Sequence, residues 1–170
     1  LYHSDAVAER VVGAINDRFS NSKKETQPSK NGQLVLVRLV NDLCTISVDS
    51  SGALLHKRGY RLESAKAPLR ETLAAALLLL TGWSAEMPLI DPFCGSGTIP
   101  IEAALLDRNI PPGVARDFAF MHWPGFVLLE WERVLHSARD GIIRRDTHIF
   151  GYDRDQGAIQ AAISNASRAG

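Results

Sequence analysis

The 170-residue chain has little cysteine, no excess of charge and no long apolar run. Its two cysteines, Cys44 and Cys94, form neither a metal-binding pair nor a disulfide framework, so we expect a reducing, cytoplasmic setting. The five histidines lack metal-binding spacing, which argues against a metal. Nineteen basic and nineteen acidic side chains cancel, so no global field draws the chain to nucleic acid. The longest apolar run, Leu73–Leu80, is too short for a membrane span.

Hydrophobic residues make up 45% of the chain and charged residues 22%, as in an ordinary globular protein. The first part has the pattern of a small α+β module. Helical spacing predicts a helix over 3–19, and two β-rich runs predict a hairpin of Leu34–Val40 and Cys44–Val48 turning at Asn41-Asp42. A third strand is expected over Ala53–Arg61.

The second part alternates helices and strands, which is typical of an α/β fold. Because a strand, turn, helix and second strand follow in order, the pattern predicts a parallel sheet. The expected elements are a helix from Pro68 to Thr81, a strand at Met87–Asp91, a helix to Leu106, an insert over 107–147 with a helix at 125–139, a strand at His148–Asp153, and a helix capped by Asp155 with an apolar face of Ala158, Ile159, Ala162, Ile163 and Ala166.

The most informative segment is Asp91–Thr98, with the sequence Asp-Pro-Phe-Cys-Gly-Ser-Gly-Thr. Gly95 and Gly97 allow close approach of the backbone to a ligand, and the next helix begins with free N–H groups. Asp91 puts a negative charge at the loop, which disfavours a phosphate and suits an ammonium or hydroxyl groups. S-adenosylmethionine carries an ammonium, a ribose diol and a sulfonium, and it has no phosphate.

Two other glycine loops are disfavoured by spacing. A P-loop needs a Lys that does not follow Gly97, and a dinucleotide loop needs a small residue where Pro100 stands. A plain strand-to-helix turn without a ligand stays open.

Two carboxylates end neighbouring predicted strands, where ligands of parallel sheets bind. Asp91 ends the first strand and Asp153 the second, so Asp153 is the expected acceptor for ribose hydroxyls. Asp155 is the rival, and we assign it instead to the helix cap. A solvated turn carboxylate remains the alternative for Asp153.

The combination of motifs resembles the THUMP-associated RNA methyltransferases, most closely the bacterial large-subunit rRNA type. The matching segments are Asp91–Ala104, His56–Arg61, Ala67–Ala74, Arg116–Pro124, Gly151–Asp155 and Asn165-Ala166. The resemblance implies an α/β fold: the start of a Rossmann-like class I methyltransferase sheet, preceded by the C-terminal part of a small α+β THUMP-like module. It also implies methylation of RNA, with guanine N2 of rRNA as the target, tRNA as another possible substrate, and S-adenosylmethionine as the cofactor.

The resemblance assigns residues 1–62 to the partial THUMP-like module and 63–170 to the methyltransferase domain, with Tyr60–Glu71 approaching the cofactor. No catalytic residue is assigned, since the family's Asn/Asp-Pro-Pro-Tyr string does not occur. We therefore expect the 170 residues alone to be inactive. The cofactor-binding residues implied are Asp91, Pro92, Phe93, Gly95, Ser96, Gly97, Thr98 and Asp153.

Other candidates have structural alternatives. Cys94 is expected to be a small buried loop residue rather than a nucleophile. A basic segment that includes Lys66 and Arg70 suggests RNA-phosphate contacts, or else a solvated face paired with Glu63 and Glu71. The aromatic insert is expected to pack on the sheet rather than stack bases. The residues of the basic segment assigned to RNA binding are Lys57, Arg58 and Arg61.

Two other functions remain open from the sequence. One is an amino-methyltransferase acting on DNA adenine or on protein, and the other is a non-catalytic RNA-binding module. The THUMP-like segment disfavours the first, and the acidic pair Asp91 and Asp153 disfavours the second. We expect neither a membrane nor a metal partner.

Overall fold

The computed structural model describes residues 4–20, 32–62 and 68–170. It divides into two compact units, Leu1–Gly52 and Ala53–Gly170. The elements in chain order are α1 (Ser4–Ser20), β1 (Val35–Val40), β2 (Leu43–Val48), α2 (Glu71–Leu80), β3 (Leu89–Asp91), α3 (Thr98–Asp107), a 3-10 turn (Ala119–His122), α4 (Leu128–Asp140), β4 (Ile149–Gly151) and α5 (Gln156–Ala169).

The first unit contains α1 and an antiparallel hairpin of β1 and β2, as predicted. Val40 pairs with Leu43, so Asn41 and Asp42 form a two-residue turn. Both turn residues have positive φ, 49° and 62°, which a tight hairpin of this kind requires and which Asn and Asp tolerate. The turn chemistry of the sequence therefore sets the register of the hairpin.

The third strand expected at Ala53–Arg61 is wrong, because this segment forms turns and bends. Its carbonyl groups have other partners. The guanidinium of Arg116 donates to the carbonyls of Leu54 (3.0 Å), Lys57 (3.1 Å) and Ala53. The side chain of Arg116, from the insert, thus supplies the hydrogen-bond donors that a neighbouring strand would supply to these carbonyls.

The second unit contains the predicted parallel pair of strands. β3 and β4 lie side by side, with Asp91 opposite Gly151. The helix expected from Pro68 begins at Glu71, since Arg70 is still extended with ψ 140°. Asp155 caps α5 as predicted, because its carboxylate accepts the N–H groups of Gly157 and Ala158.

Helix α3, which follows the glycine loop, is the best-buried element. Its side chains Ile101 and Leu105 pack with Tyr60 in the core, and α2 packs against it through a buried face that includes Ala74 and Leu78. The C-terminal end of the loop therefore leads directly into the most buried helix of the unit.

The aromatic residues of the insert pack mainly on one another and on α4, not on the sheet as expected. The rings of Phe118 and Phe120 stack 5.3 Å apart, and Trp131 of α4 meets both edge-on. Arg116 lies 5.1 Å from the ring centre of Phe118. The cluster therefore fixes Arg116, which in turn holds the carbonyls of 53–57.

Within residues 4–20, 32–62 and 68–170, no helix is long and apolar enough to cross a membrane. The same residues contain no group of three or more His, Cys, Asp or Glu side chains that could hold a metal ion.

Candidate functional site

The glycine loop leads from β3 to α3 and is hydrogen-bonded to the residues that follow β4, at the carboxyl ends of the two parallel strands. Asp91 ends β3 opposite Gly151 of β4. Backbone bonds then join the two chain segments, from Tyr152 N–H to the Asp91 carbonyl and from Cys94 N–H to the Tyr152 carbonyl, each at 2.8 Å. Asp91 and Asp153 therefore emerge at the same edge of the sheet, as the sequence predicted.

Asp153 is bonded directly to the glycine loop. Its carboxylate accepts the N–H of Gly95 at 3.0 Å and the N–H of Asp155 at 2.9 Å. The bond from Asp155, followed by that from Gly95, holds the pKa of Asp153 below its usual range. A carboxylate has about four acceptor positions, so this charged group can still accept hydroxyl groups from a ligand.

Asp91 also stabilises the loop from its own side chain. Its Oδ1 accepts the N–H of Phe93 at 3.0 Å. Together with Asp153 it makes this edge of the sheet negative. Such an edge repels phosphate and favours an ammonium group or a diol.

Two glycines permit close packing around the loop. Gly97 has φ +84°, and a Cβ there would lie 3.0 Å from Cβ of Ala162 on α5. A Cβ on Gly151 would lie 3.1 Å from the side chain of Cys94 and 3.2 Å from Pro100. Any larger residue at either position would push the loop away from β4 or α5.

Cys94 has the structural role that the sequence predicted. Its side chain is buried, and burial raises the pKa of the thiol, as do the charges of Asp91 and Asp153. The thiol therefore stays protonated at neutral pH, whereas a nucleophile needs the thiolate.

The remaining cofactor residues predicted from the sequence lie in the same loop. Ser96 and Thr98 are buried, whereas Pro92 is exposed and Phe93 is 86% exposed. Phe93 is thus the apolar side chain that the loop presents outward. That these residues bind a cofactor stays a prediction.

Two of the predicted RNA-binding cations have partners inside the unit. Arg58 donates two hydrogen bonds to Glu102, at 2.9 and 3.2 Å, and Arg61 forms an ion pair with Glu71 at 2.9 Å. Both carboxylates are buried, so the pairs do not form the solvated face given as the alternative. Lys57 is exposed. An RNA role for these three residues stays a prediction, and Glu63 and Lys66 lie outside the described residues.

Sequence reasoning gave no structural role to two buried polar residues, one on α5 and one on α3. Asn165 of α5 is completely buried and donates to the carbonyl of Ser96 at 3.1 Å. Glu102 of α3 accepts the hydroxyl of Tyr60 at 2.9 Å. Each is a polar residue with alanine on its C-terminal side in a helix, and a polar residue on an otherwise apolar face was the available signal.

Known proteins are similar to this chain in sequence and in fold. The chain is 43% identical over 184 residues to ribosomal RNA large subunit methyltransferase K/L of Vibrio cholerae, covering all of this chain and 25% of that protein. The chain thus spans about a quarter of that relative's length.

Two solved structures superimpose closely. One is described as a predicted N6-adenine-specific DNA methylase from Listeria monocytogenes, with a TM-score of 0.84 and 39% identity over 96% of this chain and 43% of that one. The other, SMU.472, is named as a methyltransferase and is complexed with SAH, with a TM-score of 0.81 and 36% identity over 94% of this chain and 42% of that one. Residues 58–170 match the model of the UPF0020 family, described as the RMKL-like methyltransferase domain, and the chain belongs to that family.

Proposed function

We propose that the protein containing this chain transfers the methyl group of S-adenosylmethionine to RNA, and that this chain supplies the cofactor-loop half of the site. The observation that carries the proposal is the meeting of Asp91 and Asp153 at one sheet edge, where Asp153 accepts the N–H of Gly95 and Asp91 accepts the N–H of Phe93. The SAH complex of a 36% identical methyltransferase and the rRNA methyltransferase of Vibrio cholerae support the cofactor and the substrate class.

The chemistry of the edge suits this cofactor. Asp153 would accept hydrogen bonds from the ribose diol, and Asp91 would attract the ammonium of the methionine part. The cofactor, when bound, supplies a methyl group on a cationic sulfur. A methyl transfer there would form a C–N bond to an amine of the target base, break the C–S bond with its electron pair going to sulfur, and release the amine proton to solvent. The residues of this chain would bind and orient the cofactor.

The finer assignment follows the resemblance. Guanine N2 of rRNA is the proposed target, residues 1–62 the proposed part of a THUMP-like RNA-binding module, and 63–170 the proposed start of the methyltransferase domain. The structure groups residues 53–62 with the second unit, since Arg58 and Tyr60 bond to Glu102. A cytoplasmic location stays a prediction.

The first test is methyl transfer by the full-length protein. We expect purified protein with radiolabelled S-adenosylmethionine to label unmodified large-subunit rRNA, with the label recovered as N2-methylguanine after digestion. Double-stranded and single-stranded DNA of matched length serve as competing substrates.

Each other outcome of this test favours an alternative function. Labelling of adenine in DNA alone would support the activity named for the Listeria structure. RNA binding without SAH binding would support a non-catalytic module. Labelling of rRNA at another position would leave the RNA activity and overturn the guanine N2 assignment.

The second test separates RNA contacts from structural cations. Lys57 and Arg70 are exposed, whereas Arg58 and Arg61 hold buried carboxylates and are unsuitable probes. We expect Lys57→Ala with Arg70→Ala to flatten the slope of log affinity for rRNA against log salt by about 1.4–1.8, because each lost phosphate contact accounts for about 0.7–0.9.

A matched variant shows whether the effect is local. Arg133→Ala removes an exposed cation of α4, paired with Glu130, and should leave the slope unchanged. If the double variant keeps the wild-type slope, these two cations do not touch RNA.

A further inference from the structure

We infer that Asn165 is a positioning residue of the glycine loop, an inference that rests on the proposed binding of S-adenosylmethionine. Asn165 is fully buried on α5, 69 positions along the chain from the carbonyl that it binds. Its Nδ2 donates to the carbonyl of Ser96 at 3.1 Å. No step of the proposed chemistry uses this side chain directly, so its effect on the ligand would act through the loop.

The bond fixes one particular peptide. The Ser96 carbonyl is held by Asn165, and the N–H of Gly97 in the same peptide donates to the Cys94 carbonyl at 2.8 Å. Gly97 is in the left-handed region, and its own carbonyl accepts the N–H of Ile101 in the first turn of α3. Both ends of the peptide between Ser96 and Gly97 are thus tied, and its rotation would break two bonds at the point where α3 begins.

A second side chain fixes the orientation of the amide. Nη2 of Arg168 donates to Oδ1 of Asn165 at 2.6 Å, which leaves the amide NH₂ facing Ser96. Nε of Arg168 donates to the carbonyl of Tyr60 at 2.8 Å. The Tyr60 hydroxyl in turn bonds to Glu102 of α3. Asn165 therefore ties the loop to α5. Arg168 in turn ties α5, through Tyr60 and Glu102, to α3, the helix that follows the loop.

Positioning and mere stability have different kinetic signatures. If Asn165 only stabilised the fold, its loss would lower the fraction of active protein, so the apparent kcat would fall while the KM for S-adenosylmethionine stayed constant. If it keeps the loop in the binding conformation, its loss lets the loop populate other conformations, and apparent affinity falls by the fraction that remains competent. The KM then rises while kcat at saturating cofactor is retained.

The experiment uses Asn165→Asp in the full-length protein. The variant keeps the shape and the Arg168 bond but replaces the donor with an acceptor, so the buried Ser96 carbonyl loses its bond. We expect the dissociation constant of SAH by calorimetry, and the KM for S-adenosylmethionine with unmodified rRNA, to rise by about tenfold, and kcat to change by less than about twofold.

The matched control is Asn109→Asp. Asn109 also donates from Nδ2 to a backbone carbonyl, that of Gly141 at 2.9 Å, but at the end of α4 rather than at the loop. Asp tolerates the positive φ of 53° at this position nearly as well as Asn. We expect the KM and the SAH affinity of this variant to equal those of the wild type.

Each result decides one question. If wild-type protein binds no SAH, the proposed function fails and the inference fails with it. If wild type binds and Asn165→Asp has an unchanged KM, or loses kcat alone, the inference is overturned and the proposed function stands. If Asn165→Asp does not fold, Arg168→Gln decides: a KM raised by about threefold supports the inference, and an unchanged KM overturns it.

Discussion

Replacing Asp153 with alanine is expected to weaken SAH binding by about 10- to 150-fold, the range for losing a hydrogen bond to a charged group. We expect the upper end of this range, because the same carboxylate also holds the N–H of Gly95 in the glycine loop at 3.0 Å. The ligand thus loses an acceptor, and the loop loses an anchor. Titration calorimetry of the full-length protein with SAH measures the effect.

Asp155→Ala is the matched control, since it removes a neighbouring carboxylate that caps α5 through Gly157 and Ala158. It should cost about 1 kcal/mol of stability and leave SAH affinity within about threefold. Equal SAH affinities for the Asp153 and Asp155 variants would show that Asp153 does not bind the cofactor.

The pH dependence of SAH binding gives an independent reading of Asp153. The N–H groups of Asp155 and Gly95 lower its pKa, so the charged form persists below the ordinary Asp value of about 3.9. Its contribution is then fully present at neutral pH and is lost only as pH falls through the lowered pKa. A loss of affinity already at pH 6 would show that another group controls binding.

Replacing Glu102 with alanine is expected to lower the free energy of unfolding by about 3–5 kcal/mol, the usual cost of removing one partner of a buried ion pair. The side chain of Glu102 is 2% exposed and that of its partner Arg58 is 13% exposed. The variant would leave the guanidinium without its carboxylate and the Tyr60 hydroxyl without its acceptor. Burial, followed by the charge of Glu102, raises the pKa of Tyr60, so the phenol remains a donor.

Glu130→Ala is the matched control, because Glu130 also pairs with an arginine on a helix, but both side chains are about two-thirds exposed, at 66% and 65%. Its removal should cost less than about 0.5 kcal/mol. Denaturant unfolding of the full-length protein measures both variants. Equal stabilities for the two would mean that the Arg58–Glu102 pair contributes no more than a surface pair.

Local patterns of the sequence were enough to predict several elements of the fold. The turn at Asn41-Asp42 follows from residues that accept positive φ, and the start of α5 follows from the capping oxygen of Asp155. The strand, glycine turn and helix around Asp91 also follow from short-range chemistry. These features depend on neighbours within a few positions, so one sequence is sufficient to predict them.

The buried face of α5 needed the tertiary structure. The sequence suggested a face that includes Ile159 and Ile163, yet Ile163 is 58% exposed, and the buried residues are Ala158, Ala161 and Asn165. The loop approaches α5 so closely that a Cβ on Gly97 would lie 3.0 Å from Ala162. Only small side chains fit at such a contact, whatever their hydrophobicity.

The sequence by itself determined the glycine loop, its two carboxylates and the parallel strands that carry them. Only the tertiary structure decided that Arg58 binds Glu102, 44 positions away, and that Asn165 binds Ser96, 69 positions away. The sequence treated Arg58 as a surface cation because charge is visible in a sequence and burial is not. A polar group in the interior needs a partner, and the partner is set by which helices pack together, which no local spacing specifies.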